Sequence, residues 1–120
     1  MNYLTLTIVT AIVALSIVVV FLYYRKYYMH IKCKEYYEDG NVKCEYYTLN
    51  GVKDGIENIY YPTKEINKTK TWSRGVLEGS FMVYFRNGKP YIEGSYSKGE
   101  YKGVYSVYDL NGSIISKKEY

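Results

Sequence analysis

The chain has 120 residues, a net charge of +4, two cysteines, one histidine and eighteen tyrosines. That length holds one soluble domain at most. The lone His30, with Cys33 and Cys44, forms no cluster with metal-ligand spacing and no nucleophile–histidine set, so the expectation is a protein that is not an enzyme, with no metal and no cofactor.

Leu4 to Tyr24 reads LTLTIVTAIVALSIVVVFLYY, with no charge, no Pro and no Gly. As a helix rising about 1.5 Å per residue it would be about 31 Å long, which matches a bilayer core of about 30 Å. Its hydroxyls, on Thr5, Thr7, Thr10 and Ser16, can bond carbonyls one turn back at small cost. A cleaved signal peptide carries positive charge before its apolar run and small residues after it. Here Met1–Tyr3 has no charged side chain, while Arg25, Lys26, Lys32 and Lys34 follow the run among bulky Tyr23, Tyr24, Tyr27 and Tyr28. Positive residues stay cytoplasmic and Tyr favours the membrane interface. The reading is a single-pass anchor with the N-terminus outside and the rest cytoplasmic, or interior-facing in a virus.

Residues 1–3 are then a short tail, 4–24 the span, and 25–35 a basic, aromatic juxtamembrane linker. Arg25, Lys26, Lys32 and Lys34 are candidates for anionic lipid head groups, each worth about 1 kcal/mol near the surface. His30 reads as an interface residue. Cys33 and Cys44 read as reduced thiols on the cytoplasmic side. From Tyr36 onward twelve basic residues balance eleven acidic ones, which argues against a nucleic-acid-binding domain.

That remainder repeats itself every 24 residues without a gap. Tyr36, Tyr60, Tyr84 and Tyr108 fall in one column. Gly51, Gly75 and Gly99 share another, and Gly55, Gly79 and Gly103 a third. Gly40, Gly88 and Gly112 share a fourth, in which Lys64 is the exception. A fixed period of this length marks a repeat architecture. Asp39-Gly40, Asn87-Gly88 and Asn111-Gly112 are hairpin signals of the type I′ kind, whereas Lys64 calls for a different turn. The paired glycines four residues apart mark a second, wider turn. The runs between are rich in Val, Ile, Tyr, Phe and Thr and suit strands. The expectation is mainly β: an apolar helix, then an antiparallel meander with repeats at 36–59, 60–83 and 84–107 and a half repeat at 108–120.

A two-residue loop at Asn87-Gly88 would set Phe85 opposite Pro90 and Tyr84 opposite Tyr91. Alternation along strands then puts Phe81, Val83, Phe85, Ile92, Tyr96, Ile59 and Trp72 on an apolar face. Met82, Tyr84, Tyr91 and Glu93 go to the other face, which carries the tyrosine column. Such columns have a structural use, because repeats reuse the residue that packs the neighbouring repeat. Aromatic side chains also provide large contact area at small entropic cost. Tyr36, Tyr60, Tyr84, Tyr108, Tyr91, Phe81, Phe85, Trp72 and Tyr96 are the candidate partner-binding residues. The glutamates, Glu78, Glu93 and Glu100 among them, read as solvated surface.

The stretch YFRNGKPYIEGSYSKGEYKG, with an aromatic followed by spaced glycines, resembles the MORN-repeat variant family over about residues 36–120. It departs from that pattern at Lys64 and over Glu65–Thr71, where the usual Glu-Gly pair is missing. The resemblance implies an elongated single-layer sheet of hairpins that scaffolds proteins or associates with membranes, without catalysis. Three roles follow in order of expectation. The first is a membrane-anchored module that binds an unknown protein or a second copy of itself. The second is a structural part of a virion or other membrane-associated assembly. The third is a nucleic-acid or small-ligand binder, although no nucleic acid is expected.

Overall fold

A computed structural model describes all residues, Met1–Tyr120. One helix, α1 (Tyr3–Tyr28), is followed by ten strands: β1 (Ile31–Tyr36), β2 (Val42–Leu49), β3 (Val52–Lys53), β4 (Gly55–Tyr60), β5 (Ile66–Ser73), β6 (Val76–Tyr84), β7 (Pro90–Ser97), β8 (Glu100–Tyr101), β9 (Val104–Tyr108) and β10 (Ile114–Glu119). All strands join one antiparallel sheet in chain order, β1-β2-β4-β5-β6-β7-β9-β10, with β3 on β2 and β8 on β7. The molecule measures 80 × 36 × 18 Å, so the sheet is a single layer.

The helix starts at an Asn2 cap whose Oδ1 accepts the Thr5 N–H at 2.8 Å. Thr5, Thr7, Thr10 and Ser16 donate their hydroxyls to carbonyls three or four residues back, as their spacing implied. No residue of α1 is buried, and the helix is long and apolar enough to cross a membrane. It runs four residues beyond the expected Tyr24, into the stretch read as a linker. The rest of that stretch is also ordered. Only Met29 and His30 separate α1 from β1, because Ile31–Tyr36 finds a pairing partner in β2. The sheet therefore holds four hairpins, β1–β2, β4–β5, β6–β7 and β9–β10, rather than three repeats and a half. The column tyrosines Tyr36, Tyr60, Tyr84 and Tyr108 each end the first strand of one hairpin.

The two turns exchange their expected types. At Phe85–Lys89 the Gly88 N–H donates to the Phe85 carbonyl and the Phe85 N–H to the Lys89 carbonyl. Only Gly88 has positive φ there, at 82°. This is a three-residue loop, a type I turn closed by a left-handed residue, and it shifts the register so that Tyr84 pairs with Pro90 rather than with Tyr91. The type I′ turns lie on the opposite edge of the sheet. There Asn50-Gly51, Arg74-Gly75 and Lys98-Gly99 all have positive φ, with Leu49 opposite Val52, Ser73 opposite Val76 and Ser97 opposite Glu100. Every glycine of the three glycine columns has positive φ.

Lys64 does not change its turn, contrary to the sequence reading. It adopts φ 80° in the same geometry, with its N–H on the Tyr61 carbonyl and the Tyr61 N–H on the Glu65 carbonyl. Neighbouring hairpins impose the loop and the lysine bears the strain. Lys64→Gly is thus expected to raise stability by about 1 kcal/mol. A Cβ added at Gly88 meets nothing within 4 Å, so a substitution there reports backbone strain alone. Gly88→Val is expected to cost about 1–2 kcal/mol, more than Lys64→Val. Denaturant melts of the full chain in detergent, followed by circular dichroism, check both; equal losses for the two valines would refute a shared turn.

Candidate interaction surfaces

A single layer leaves both broad faces open, and only five residues of the chain are buried. One face is aromatic towards its C-terminal end. Phe81 sits there at 6% exposure, with ring centroids 5.0 Å from Tyr96, 5.8 Å from Tyr101 and 6.1 Å from Tyr105. Tyr101 stacks on Tyr96 at 4.8 Å and touches Tyr120 at 5.2 Å. The Lys118 ammonium lies 4.3 Å from the Tyr120 ring centre. Phe81 fits because its cross-strand partner is Gly94: a Cβ there would lie 2.5 Å from the Phe81 ring. Phe81, a candidate contact residue, is thus the core of this face, covered by tyrosines of its own chain. Tyr101 and Tyr120 form the exposed surface above it.

The N-terminal half of the same face fills the equivalent positions with different chemistry. Lys53, Leu77 and Tyr101 share one column, Glu57, Phe81 and Tyr105 the next, and Trp72, Tyr96 and Tyr120 the third. Glu57 is 4% exposed. Its carboxylate accepts the Trp72 Nε1–H at 2.8 Å and the Lys53 ammonium. That ammonium also lies 4.5 Å from the Tyr46 ring centre and 5.2 Å from that of Trp72. Pairing lets a charged group sit where the next repeat buries a phenyl ring.

The opposite face carries the tyrosine column amid polar groups. The Tyr60 hydroxyl donates to Glu45 at 3.3 Å and the Tyr108 hydroxyl to Glu93 at 2.9 Å. Tyr84 has Thr69 in the corresponding place, and Tyr36 is exposed. Tyr91 leaves this face, contrary to expectation. The bulge at Pro90–Ile92 turns it onto the Phe85 ring, at 4.7 Å. Lys32 and Lys34, candidates for head groups, reach Glu45 at 3.3 and 2.9 Å, because β1 pairs Lys34 with Glu45. Arg25 and Lys26 remain in the last helical turn. Hydrogen bonding from Lys34 and then from Lys32 holds the Glu45 carboxyl below its ordinary range.

Repeats are also stitched at both edges. The Tyr37 hydroxyl donates to the Tyr60 carbonyl at 2.7 Å and the Tyr61 hydroxyl to the Tyr84 carbonyl at 2.8 Å. On the type I′ edge Asp54 accepts the Arg74 N–H at 2.9 Å, and Glu78 the Lys98 N–H at 2.6 Å. His30, read as an interface residue, bonds Asp54 at 2.7 Å. Glu57, Lys53, Tyr101 and Tyr105 were missed as members of a packed face. The columns held the signal, since each stands in line with an apolar or aromatic residue of another repeat.

Burial, then the Tyr101 hydroxyl beside it, pushes the Tyr96 phenol up to about 12. Burial likewise raises Tyr105. A phenol whose folded pKa lies above its unfolded value of about 10 adds stability that is complete below that value. The contribution is lost as pH climbs through the folded pKa. Tyr96 and Tyr105 are therefore expected to ionise late, in step with loss of the sheet. Absorbance at 295 nm followed against pH checks this, and Tyr101→Phe should move the late component down. A single titration step for all tyrosines near pH 10, with the sheet intact, would contradict it.

Residues 29–50 and 77–98 match the family model described as MORN repeat variant. The two segments contain the hairpins β1–β2 and β6–β7, in the same phase. Comparison with curated proteins and with solved structures gave no match.

Proposed function

We propose that this chain, a MORN-variant repeat protein, is a membrane-anchored, non-catalytic module that binds a protein partner through its aromatic face. One observation carries the reading: the sheet is one layer thick, and its C-terminal aromatic cluster is covered on one side only, with Tyr101 and Tyr120 turned outward. A sheet face of stacked, half-exposed tyrosines offers contact area with little rotamer entropy to lose. The anchor is α1, retained in the mature protein. One feature supports this: Arg25 and Lys26 close its C-terminal end among bulky tyrosines, where a cleaved signal peptide carries small residues. Positive charge at that end favours a cytoplasmic repeat domain.

Both halves of the proposal are open to one set of membranes. In sealed vesicles with the cytoplasmic side outward, protease should digest the sheet and spare α1. A photo-crosslinker placed at Tyr101 should give a discrete adduct in native membranes, and one at Tyr60, on the opposite face, should not. Protection of the sheet overturns the orientation. Equal or absent adducts from the two positions overturn the aromatic face as the binding surface.

A further inference from the structure

The outermost strands of the sheet are β1 and β10, and the repeat makes their outer sides fit each other in register. Glu35, Ile59, Val83 and Val107 form one column, and Cys44, Lys68, Ile92 and Ser116 another. At each junction between hairpins a member of the first pairs with a member of the second: Ile59 with Cys44, Val83 with Lys68, Val107 with Ile92. Glu35 and Ser116 are the two left over. The neighbouring pair of columns behaves alike. Asn58 pairs with Glu45, Met82 with Thr69 and Ser106 with Glu93, leaving Lys34 and Lys117. A second copy added end to end in this register would set its Glu35 opposite Ser116 and its Lys34 opposite Lys117.

No internal junction pair in these columns has like charges, whereas this one would face lysine with lysine. Like charges directly opposite destabilise a strand pair. Lys117 also replaces the carboxylate that two of the three internal junctions use. Glu45 and Glu93 accept the hydroxyls of Tyr60 and Tyr108, and the second copy's Tyr36 would meet an ammonium in that place. A third column adds to the misfit. His30 touches Asp54 at one repeat's distance, and Lys102 at the other end of that column would meet the second copy's His30. Lys118 takes no part, since it lies over Tyr120 on the aromatic face.

We infer that the β10 edge is a docking edge matched in register to the β1 edge of a second copy, and that Lys117 keeps it closed. The lysine is the determinant of finite length: with a carboxylate at position 117 the edge would reproduce the Glu93 junction and take up further copies. Lysine on an edge strand generally hinders pairing; here one lysine opposes one identified side chain.

The test uses the full chain in detergent micelles, with sedimentation velocity for mass and negative-stain electron microscopy for length. Wild type is expected to reach a fixed mass as concentration rises. Lys117→Glu is expected to keep gaining mass beyond two copies and to form linear particles. Adding Lys34→Glu to Lys117→Glu faces two carboxylates and should return the mass to the wild-type value. Pairing through the aromatic face would stop at two copies in all variants, so failure of the proposed partner surface and failure of this edge are distinguishable. Lys117→Glu with the wild-type mass at all concentrations, or open-ended growth of wild type, overturns the inference. Should Lys117→Glu lose its β-sheet spectrum, Lys117→Gln decides: growth beyond wild type supports the closed edge, and no growth overturns it.

Discussion

Gly94→Leu and Phe81→Ala are each expected to destabilise the sheet by about 3 kcal/mol, and together by less than their sum. A Cβ at Gly94 would sit 2.5 Å from the Phe81 ring and 3.4 Å from that of Tyr105. The ring cannot step aside, because Tyr96, Tyr101 and Tyr105 surround it. Leucine at 94 must therefore evict Phe81 or part the strands. Phe81→Ala opens the space from the other side, and a leucine at 94 then occupies part of it. Residues in such direct contact show coupling of about 0.5–3 kcal/mol. Denaturant melts of the two single variants and the double variant measure it. Strictly additive losses would show that Phe81 and Gly94 do not share one packing site.

Glu57→Ala is expected to cost about 3 kcal/mol, because it leaves the Lys53 ammonium and the Trp72 N–H without their acceptor on a half-buried face. The adjoining repeat shows how to repair the loss. It places Leu77, Phe81, Gly94 and Tyr96 where this one has Lys53, Glu57, Lys70 and Trp72. The combined change Lys53→Leu, Glu57→Phe, Lys70→Gly and Trp72→Tyr is expected to recover most of the lost stability, whereas Glu57→Phe alone, with the Lys70 Cβ opposite it, is not. Replacing a buried ion pair by packed apolar groups is often neutral or stabilising, and removing one member of it is not. Thermal melting of the three variants checks the order; a combined variant no better than Glu57→Ala would mean that the two repeats do not share one packing geometry.

The period of the glycines makes the hairpins legible in the sequence, because a left-handed position tolerates few residues and so marks itself at each recurrence. The kinds of turn were not legible. Asn87-Gly88 and Asn50-Gly51 have identical letters, yet only the second places both residues at positive φ. What separates them is loop length, set by the bulges in the flanking strands. Lys64 hid its turn because neighbouring hairpins overrode its own preference. Strand β1 was concealed by Lys32, Lys34 and Glu35, whose charges read as a linker until Glu45 is seen opposite them. The division of the faces followed from alternation and failed at Tyr91, where one extra residue in β7 turns the side chain over. Glu57 could not be found by residue type, since a glutamate among lysines reads as solvated; only its column places it beside Phe81.

Each hairpin of this sheet pairs with the hairpins just before and after it, and cross-repeat bonds such as Tyr37 to Tyr60 and Asp54 to Arg74 span one repeat or less. No contact in the sheet waits for a distant part of the chain, so loop closure never costs more than that of a short segment. Proteins built from near-neighbour contacts reach the native state quickly for their size. Synthesis delivers α1 first, then β1–β2, and every later hairpin meets a finished strand on which to add. The order of emergence and the order of pairing coincide, and the sheet can lengthen from its α1 end while the remaining repeats are still being translated.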